Sequence, residues 1–244
     1  MLYEFLVPLT NVISGFNIFR YISFRAAGAA ITALGICFVL GPVILRRLQR
    51  MQIHQVVREG TPDTHAAKGT TPTMGGLIIL GAVGGSTLLW MRFDSRYVWL
   101  ALVVTLLMGG LGFLDDYLKL QQKRAGEENL GLVERYKLAG QITIGLALGC
   151  YIWQVPLNTL PGASTTLPFY KYVLIVPAIP VLYLPFVTFV MTGTSNAVNL
   201  TDGLDGLAAG LMAIAMLTMA LFAYVMGRAD ASEYLQIFYL RGAG

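Results

Sequence analysis

Charge is what this sequence has least of. Asp, Glu, Lys and Arg make up 12% of its 244 residues, against about a quarter in ordinary soluble domains. That scarcity excludes an ordinary soluble domain. Histidine and cysteine are nearly absent, with two of each. Cys37 and Cys150 both fall inside long apolar runs, where a disulfide framework has no role and a thiolate metal site would need more ligands. They read as small packing residues. Alternation of apolar and polar residues is missing as well, which removes a transmembrane β-barrel. Residues 1–25 lack a basic start and a small-residue cleavage site, so they do not read as a cleaved signal peptide.

What the sequence does have is apolar length. Hydrophobic residues reach 56% and the mean hydropathy is +0.65. Six segments, about 26–45, 73–91, 97–114, 138–155, 172–192 and 206–227, carry no charge over roughly the 17 to 25 residues of a membrane-crossing helix. The expected fold class is therefore all-α, a polytopic transmembrane helix bundle forming a single integral membrane domain over 1–244. Tyr3, Phe5, Phe16, Phe19, Tyr21 and Phe24 precede the first span and suggest an N-terminal segment lying in the membrane interface. With alternating spans, the connectors 46–72, 115–137 and 193–205 share one side and hold ten of the seventeen Lys and Arg residues. That excess points them at the cytoplasm. The net charge of +4 thus reports on orientation and gives no reason to expect nucleic acid.

The same three connectors carry the chemistry. The first ends in Lys68-Gly-Thr-Thr-Pro-Thr-Met-Gly-Gly76, where Pro72 can start a helix whose free amides attract phosphate. Alone, the run equally suits a capped helix entry with a topology-setting lysine. Span three ends in Asp115-Asp116, adjacent carboxylates expected at the negative end of a helix dipole. A divalent cation would offset that placement, since magnesium takes one or two carboxylates together with substrate phosphates. A solvated helix end paired with Lys119, Lys123 or Arg124 is the plain alternative, and Arg135 and Lys137 suit either phosphate contacts or topology. Residues 156–170 look like an external loop or small hairpin, and Pro177, Pro180 and Pro185 should kink the fifth span or leave its first turn irregular. The third connector, Asn196-Ala-Val-Asn-Leu-Thr-Asp-Gly-Leu-Asp-Gly206, is too polar for a plain turn, although Asp202 and Asp205 have the spacing of an N-cap and third position opening span six. Together, Lys68, Asp115, Asp116, Asn199, Asp202 and Asp205 fall on one expected face, which suits a nucleotide diphosphate with magnesium and a lipid co-substrate.

The runs at 68–76, Gly112-Phe-Leu-Asp-Asp-Tyr117 and Asn196–Ala208 resemble those of the bacterial phospho-N-acetylmuramoyl-pentapeptide-transferases, within the polyprenyl-phosphate N-acetylhexosamine-1-phosphate transferase superfamily. The likeness extends from Ser14-Gly-Phe-Asn17 to Tyr239-Leu-Arg241. It implies transfer of the phosphosugar from UDP-N-acetylmuramoyl-pentapeptide to undecaprenyl phosphate in the bacterial inner membrane, giving lipid I and UMP for peptidoglycan, with Mg2+ and as a homodimer. Carried onto matching positions, it implies Asp115 and Asp116 at the reaction centre, with Asp115, Asp116 and Asp202 toward the metal. Lys68, Thr73, Lys119, Lys137, Asn196, Asn199, Asp202 and Asp205 would contact substrate.

Two departures stand out. The family's Gly-Thr-Pro-Thr reads Thr70-Thr71-Pro72-Thr73 here, a local change in loop geometry. The family also continues with further helices, another aspartate in a glycine-flanked motif and a histidine-rich loop; His54 and His65 match none of these. The expectation is weak or absent activity from residues 1–244 alone. A secondary transporter is the rival class, because ionisable residues in helical bundles mark ion paths, yet these carboxylates fall at span ends instead of the midplane. A structural protein using its glycines for helix packing is a third. The start of a CDP-alcohol phosphotransferase signature at Asp202-x-x-Asp205-Gly206-x-x-Ala209 fails at Gly210, where arginine is required.

Overall fold

The computed structural model describes residues 1–50, 74–125, 131–155, 165–167, 170–175, 180–203 and 206–243. After a short α1 (Leu2–Leu6) and two 3-10 turns come α2 (Ile22–Arg50), α3 (Gly76–Trp90), α4 (Arg96–Ala125) and α5 (Glu134–Gln154). A two-stranded antiparallel hairpin follows, β1 (Thr165–Leu167) with β2 (Tyr170–Ile175), pairing Thr165 with Ile175 and Thr166 with Leu174. The chain ends in α6 (Pro180–Thr201), α7 (Leu207–Met226) and a short α8 (Ala229–Tyr234). Among the described residues, α2, α4 and α7 are long and apolar enough to cross a membrane, while α3 is apolar but has 15 residues. The all-α membrane architecture expected from the apolar runs is present, with the hairpin as its one pair of described strands.

α2, α4 and the C-terminal end of α6 run past the expected spans, and this moves several residues. α4 continues through Lys-Leu-Gln-Gln-Lys to Ala125, so Asp115 and Asp116 lie inside a helix and not at its negative end. Uncharged length marks where lipid stops; helical hydrogen bonding carries on into water when good helix formers follow. The fifth span, expected at 172–192, begins at Pro180 instead, because 170–175 pairs as a strand and proline suits the first helical position, where its missing N–H is not needed. α6 then absorbs Asn196 to Thr201, and Asp202 does not open the next helix. That role falls to Gly206, in the left-handed conformation at φ 80°.

By contact the chain divides into two compact units, Met1–Phe93 with Thr105–Lys137, and Asp94–Val104 with Leu138–Gly244. In the first unit α2 and α3 are in contact, and Gly28 allows a close approach: a Cβ there would collide with the Trp90 ring. Trp90 donates its indole N–H to Thr32 Oγ1 at 2.9 Å, stacks on Phe19 at 5.8 Å and meets Phe24 edge-on. This ring therefore docks the N-terminal segment, which leaves Phe5, Val12 and Ile13 exposed as an interfacial segment should. Thr32→Val keeps the shape but strips the indole of its acceptor, and should cost about 1–2 kcal/mol, read as a lower melting temperature in detergent. At the opposite ends of these helices, Leu48 and Met74 are buried against Ile44 and Leu120, joining α2, the entry to α3 and α4 beside the aspartates.

In the second unit, Gln141, Gly145 and Gly149 recur every four residues along α5, which puts them on one face. That face packs on α6. A Cβ at Gly145 would lie 2.9 Å from the Thr188 backbone, and one at Gly149 would be 3.5 Å from Leu184.

Candidate functional site

The charged cluster of the first unit is built on α4 and the start of α5. Asp115 is buried at 6% exposure, an unusual place for a carboxylate, and every side of it is engaged. Lys119, one turn along α4, donates to Oδ2 at 2.7 Å; Lys137 Nζ stands 3.6 Å from the same oxygen; the Leu132 amide donates to Oδ1 at 2.8 Å. The acid-then-base order of Asp115 and Lys119 is the favourable one on a helix. Lys137 is less well placed by itself, since α5 begins at Glu134 and a lysine in the first turn faces the positive end of the dipole. The Asp115 carboxylate offsets that repulsion.

Asp116 differs from its neighbour. Its side chain is 35% exposed, and its contact is a looser one, Lys119 Nζ at 3.7 Å. One aspartate thus holds two ammonium groups together while the other remains open to an incoming ligand. Arg135 turns aside, its guanidinium over the Tyr136 ring at 5.1 Å.

The loop between α4 and α5 contributes residues that the sequence reading missed. Gly131 adopts φ +105° and donates its amide to Gln122 Oε1 at 2.5 Å, which turns the following Leu132 amide onto Asp115. The available signal was a glycine inside a polar, charge-rich connector, too common to single out.

The second unit carries the amide-rich motif. Asn196 and Asn199 lie one turn apart on the last turns of α6, and Asp202 follows at the same spacing, its amide still donating to Val198 O at 3.1 Å. Asn196 donates through Nδ2 to Gln141 Oε1 at 2.8 Å and to Thr192 O at 2.9 Å, while Gln141 donates to Ser195 at 3.2 Å. Gln141 is 2% exposed and was missed as well; a glutamine in an apolar run was its only mark. Asn199 and Asp202 are exposed. Lys68, Thr73 and Asp205 lie outside the described residues.

The donor set fits a magnesium ion of the kind that borrows oxygens from substrate. Among the described residues no group of three or more His, Cys, Asp or Glu side chains stands close enough to hold a metal by itself. Asp116 presents a partly exposed carboxylate to one, while Asp115 already accepts from Lys119 and the Leu132 amide with Lys137 close by. One open carboxylate completed by phosphate oxygens and water is how magnesium is ordinarily held.

The pattern of glycosyl transferase family 4 matches residues 98–243, more than half of the chain. The whole chain aligns with the phospho-N-acetylmuramoyl-pentapeptide-transferase of Gemmatimonas aurantiaca at 66% identity over 247 residues, covering 65% of that protein. It also aligns over its whole length with the proteins of that name from Desulforapulum autotrophicum, at 44% identity, and Endomicrobium trichonymphae, at 45%, covering 66% of each. The chain thus spans just under two thirds of the length of these relatives.

Proposed function

The chain belongs to glycosyl transferase family 4, and from that premise we propose that it serves phospho-N-acetylmuramoyl-pentapeptide transfer from a UDP carrier to undecaprenyl phosphate. One observation carries the proposal: a buried aspartate gathers two lysines beside a second, open aspartate on a membrane helix.

The reaction brings two anions together. A phosphate oxygen of the lipid attacks the sugar-bearing phosphorus, the bond to the bridging oxygen breaks, and its electron pair leaves with UMP. Most of the barrier is charge and orientation, so cations fixed in advance are what such a site needs. Lys119 and Lys137, held by Asp115, bind the diphosphate and take up charge at the leaving oxygen. Asp116 orients the lipid phosphate and would hold magnesium, which would supply further positive charge to the diphosphate. Asn196 and Asn199 on α6 and Asp202 just after it carry amide and carboxylate groups suited to the nucleoside, and they join this reading, with Lys68, Thr73 and Asp205, through the family motifs. Association as a homodimer comes with that resemblance. The Lys and Arg excess in three connectors supports a plasma-membrane protein with this chemistry facing the cytoplasm.

The test joins this sequence to the part of the Gemmatimonas relative that it does not span, here called the completed protein. Given both substrates in detergent, it should release UMP and form lipid-linked sugar with magnesium, and stop when EDTA removes the metal. Uptake of nucleotide sugar into sealed vesicles without lipid product, unchanged in Asp115→Asn, would sink the transferase and favour the transporter. Lipid product made by residues 1–244 alone at the rate of the completed protein would overturn the expectation that the part spanned here is insufficient.

A further inference from the structure

We infer that Gly131 and Gln122 are positioning residues, which clamp the α4–α5 loop onto Asp115 and so fix the spacing of Lys119 and Lys137. The inference rests on the reading of those two lysines as ligands of the diphosphate.

Three observations meet at this loop. The backbone of Gly131 at φ +105° lies where a side chain is strained, so the turn itself requires glycine. Space requires it too: a Cβ would come within 2.8 Å of Lys119 Cε and 2.9 Å of Asp115 Oδ1. The Gly131 backbone therefore lies directly against both partners of the Lys119–Asp115 ion pair. Finally, two successive amides are claimed by two side chains of α4, that of Gly131 by Gln122 and that of Leu132 by Asp115. Gln122 and Asp115 are seven residues apart, two helical turns, and so share a face of α4.

The consequence runs through Asp115 to the lysines. A carboxylate facing two ammonium groups can rotate toward either one. The Leu132 amide holds Oδ1, which leaves Oδ2 as the shared acceptor at 2.7 Å from Lys119 and 3.6 Å from Lys137. Lys137 sits five residues after Leu132, so the clamp also sets where α5 begins. Without it both lysines keep their charge and lose their fixed separation, which is what a diphosphate recognises.

The experiment uses Gly131→Ala and, because that variant strains the backbone, Gln122→Met and Gln122→Glu as a milder pair. Methionine removes the acceptor for the Gly131 amide at similar length; glutamate retains it. In residues 1–244 held in nanodiscs, the Leu132 amide should exchange hydrogen at least about tenfold faster in Gly131→Ala and Gln122→Met, with α4 and α5 unchanged. In the completed protein, both should raise KM for the UDP substrate about tenfold to a hundredfold, leave KM for the lipid within about twofold, and be restored in Gln122→Glu. Unchanged Leu132 exchange, or an unchanged KM for the UDP substrate in Gln122→Met, overturns the inference. If Lys119→Ala and Lys137→Ala also leave that KM unchanged, it is the diphosphate reading that has failed.

Discussion

Asp116→Asn is expected to lower kcat for lipid-linked product by about a hundredfold to a thousandfold in the completed protein, the scale of losing one pre-set charge at a reacting phosphate. The fold should stay intact, because the side chain is 35% exposed and its contact with Lys119 is 3.7 Å long. Asparagine preserves the shape and removes the negative charge, so half-saturation by magnesium should shift to higher concentration as kcat falls. Asp115→Asn should behave differently. It also reduces kcat/KM, but through a higher KM for the UDP substrate, because the two lysines lose the group that spaces them. It lowers stability as well. A fully buried pair broken on one side costs about 3–5 kcal/mol, yet Lys119 and Lys137 keep 44% and 26% of their side chains in solvent. Water can take over their charge, so a loss near 1 kcal/mol is expected. Asp116→Asn with activity within threefold of the parent would remove that residue from the reaction centre.

The second large effect is on the fold. Gly145→Leu should lower the stability of the second unit by at least about 1–3 kcal/mol, the usual cost of overpacking, and more if α5 cannot move. The obstacle is the Cα of Thr188, 2.9 Å from where the new Cβ would stand, and a helix backbone cannot swing aside as a side-chain end can. Gly35 supplies the control, since nothing lies within 4 Å of a Cβ there. Gly35→Ala should melt with the parent in detergent, and Gly145→Leu well below it. Equal melting of the two variants would show that α5 and α6 do not depend on this close approach.

Much of this was legible in the residues, for reasons that also mark the limit. Uncharged runs located the helices because lipid tolerates little else, but they could not say where each helix stops once it leaves lipid. Asp115 and Asp116 were consequently expected at a helix end and lie within α4. The fifth span was misplaced because Tyr-Val-Leu-Ile at 172–175 is as apolar as any helix; β-branched content and strand pairing decided it, and pairing is invisible in one segment. Of the charged cluster, the residues with uncommon chemistry were found: the aspartates, Lys119 and Lys137. Gly131, Gln122 and Gln141 were not, since their importance lies in a torsion angle or in a partner far along the chain. Gln141 looks like a flaw in an apolar run until Asn196, 55 positions later, accounts for it.

That separation has a consequence for how the protein is made. At roughly 5–20 residues per second, Gln141 leaves the ribosome about 3 to 11 seconds before Asn196 exists, and its amide has no partner during that interval. An unsatisfied amide in hydrocarbon is costly, so α5 gains by waiting at the insertion machinery until α6 arrives, and the two should enter the bilayer as a pair. α7, which carries no charge, no side-chain amide and no buried residue, has no reason to wait and should enter alone. The glutamine that holds Asn196 in the finished protein would then also set the order in which its helices are released into the membrane.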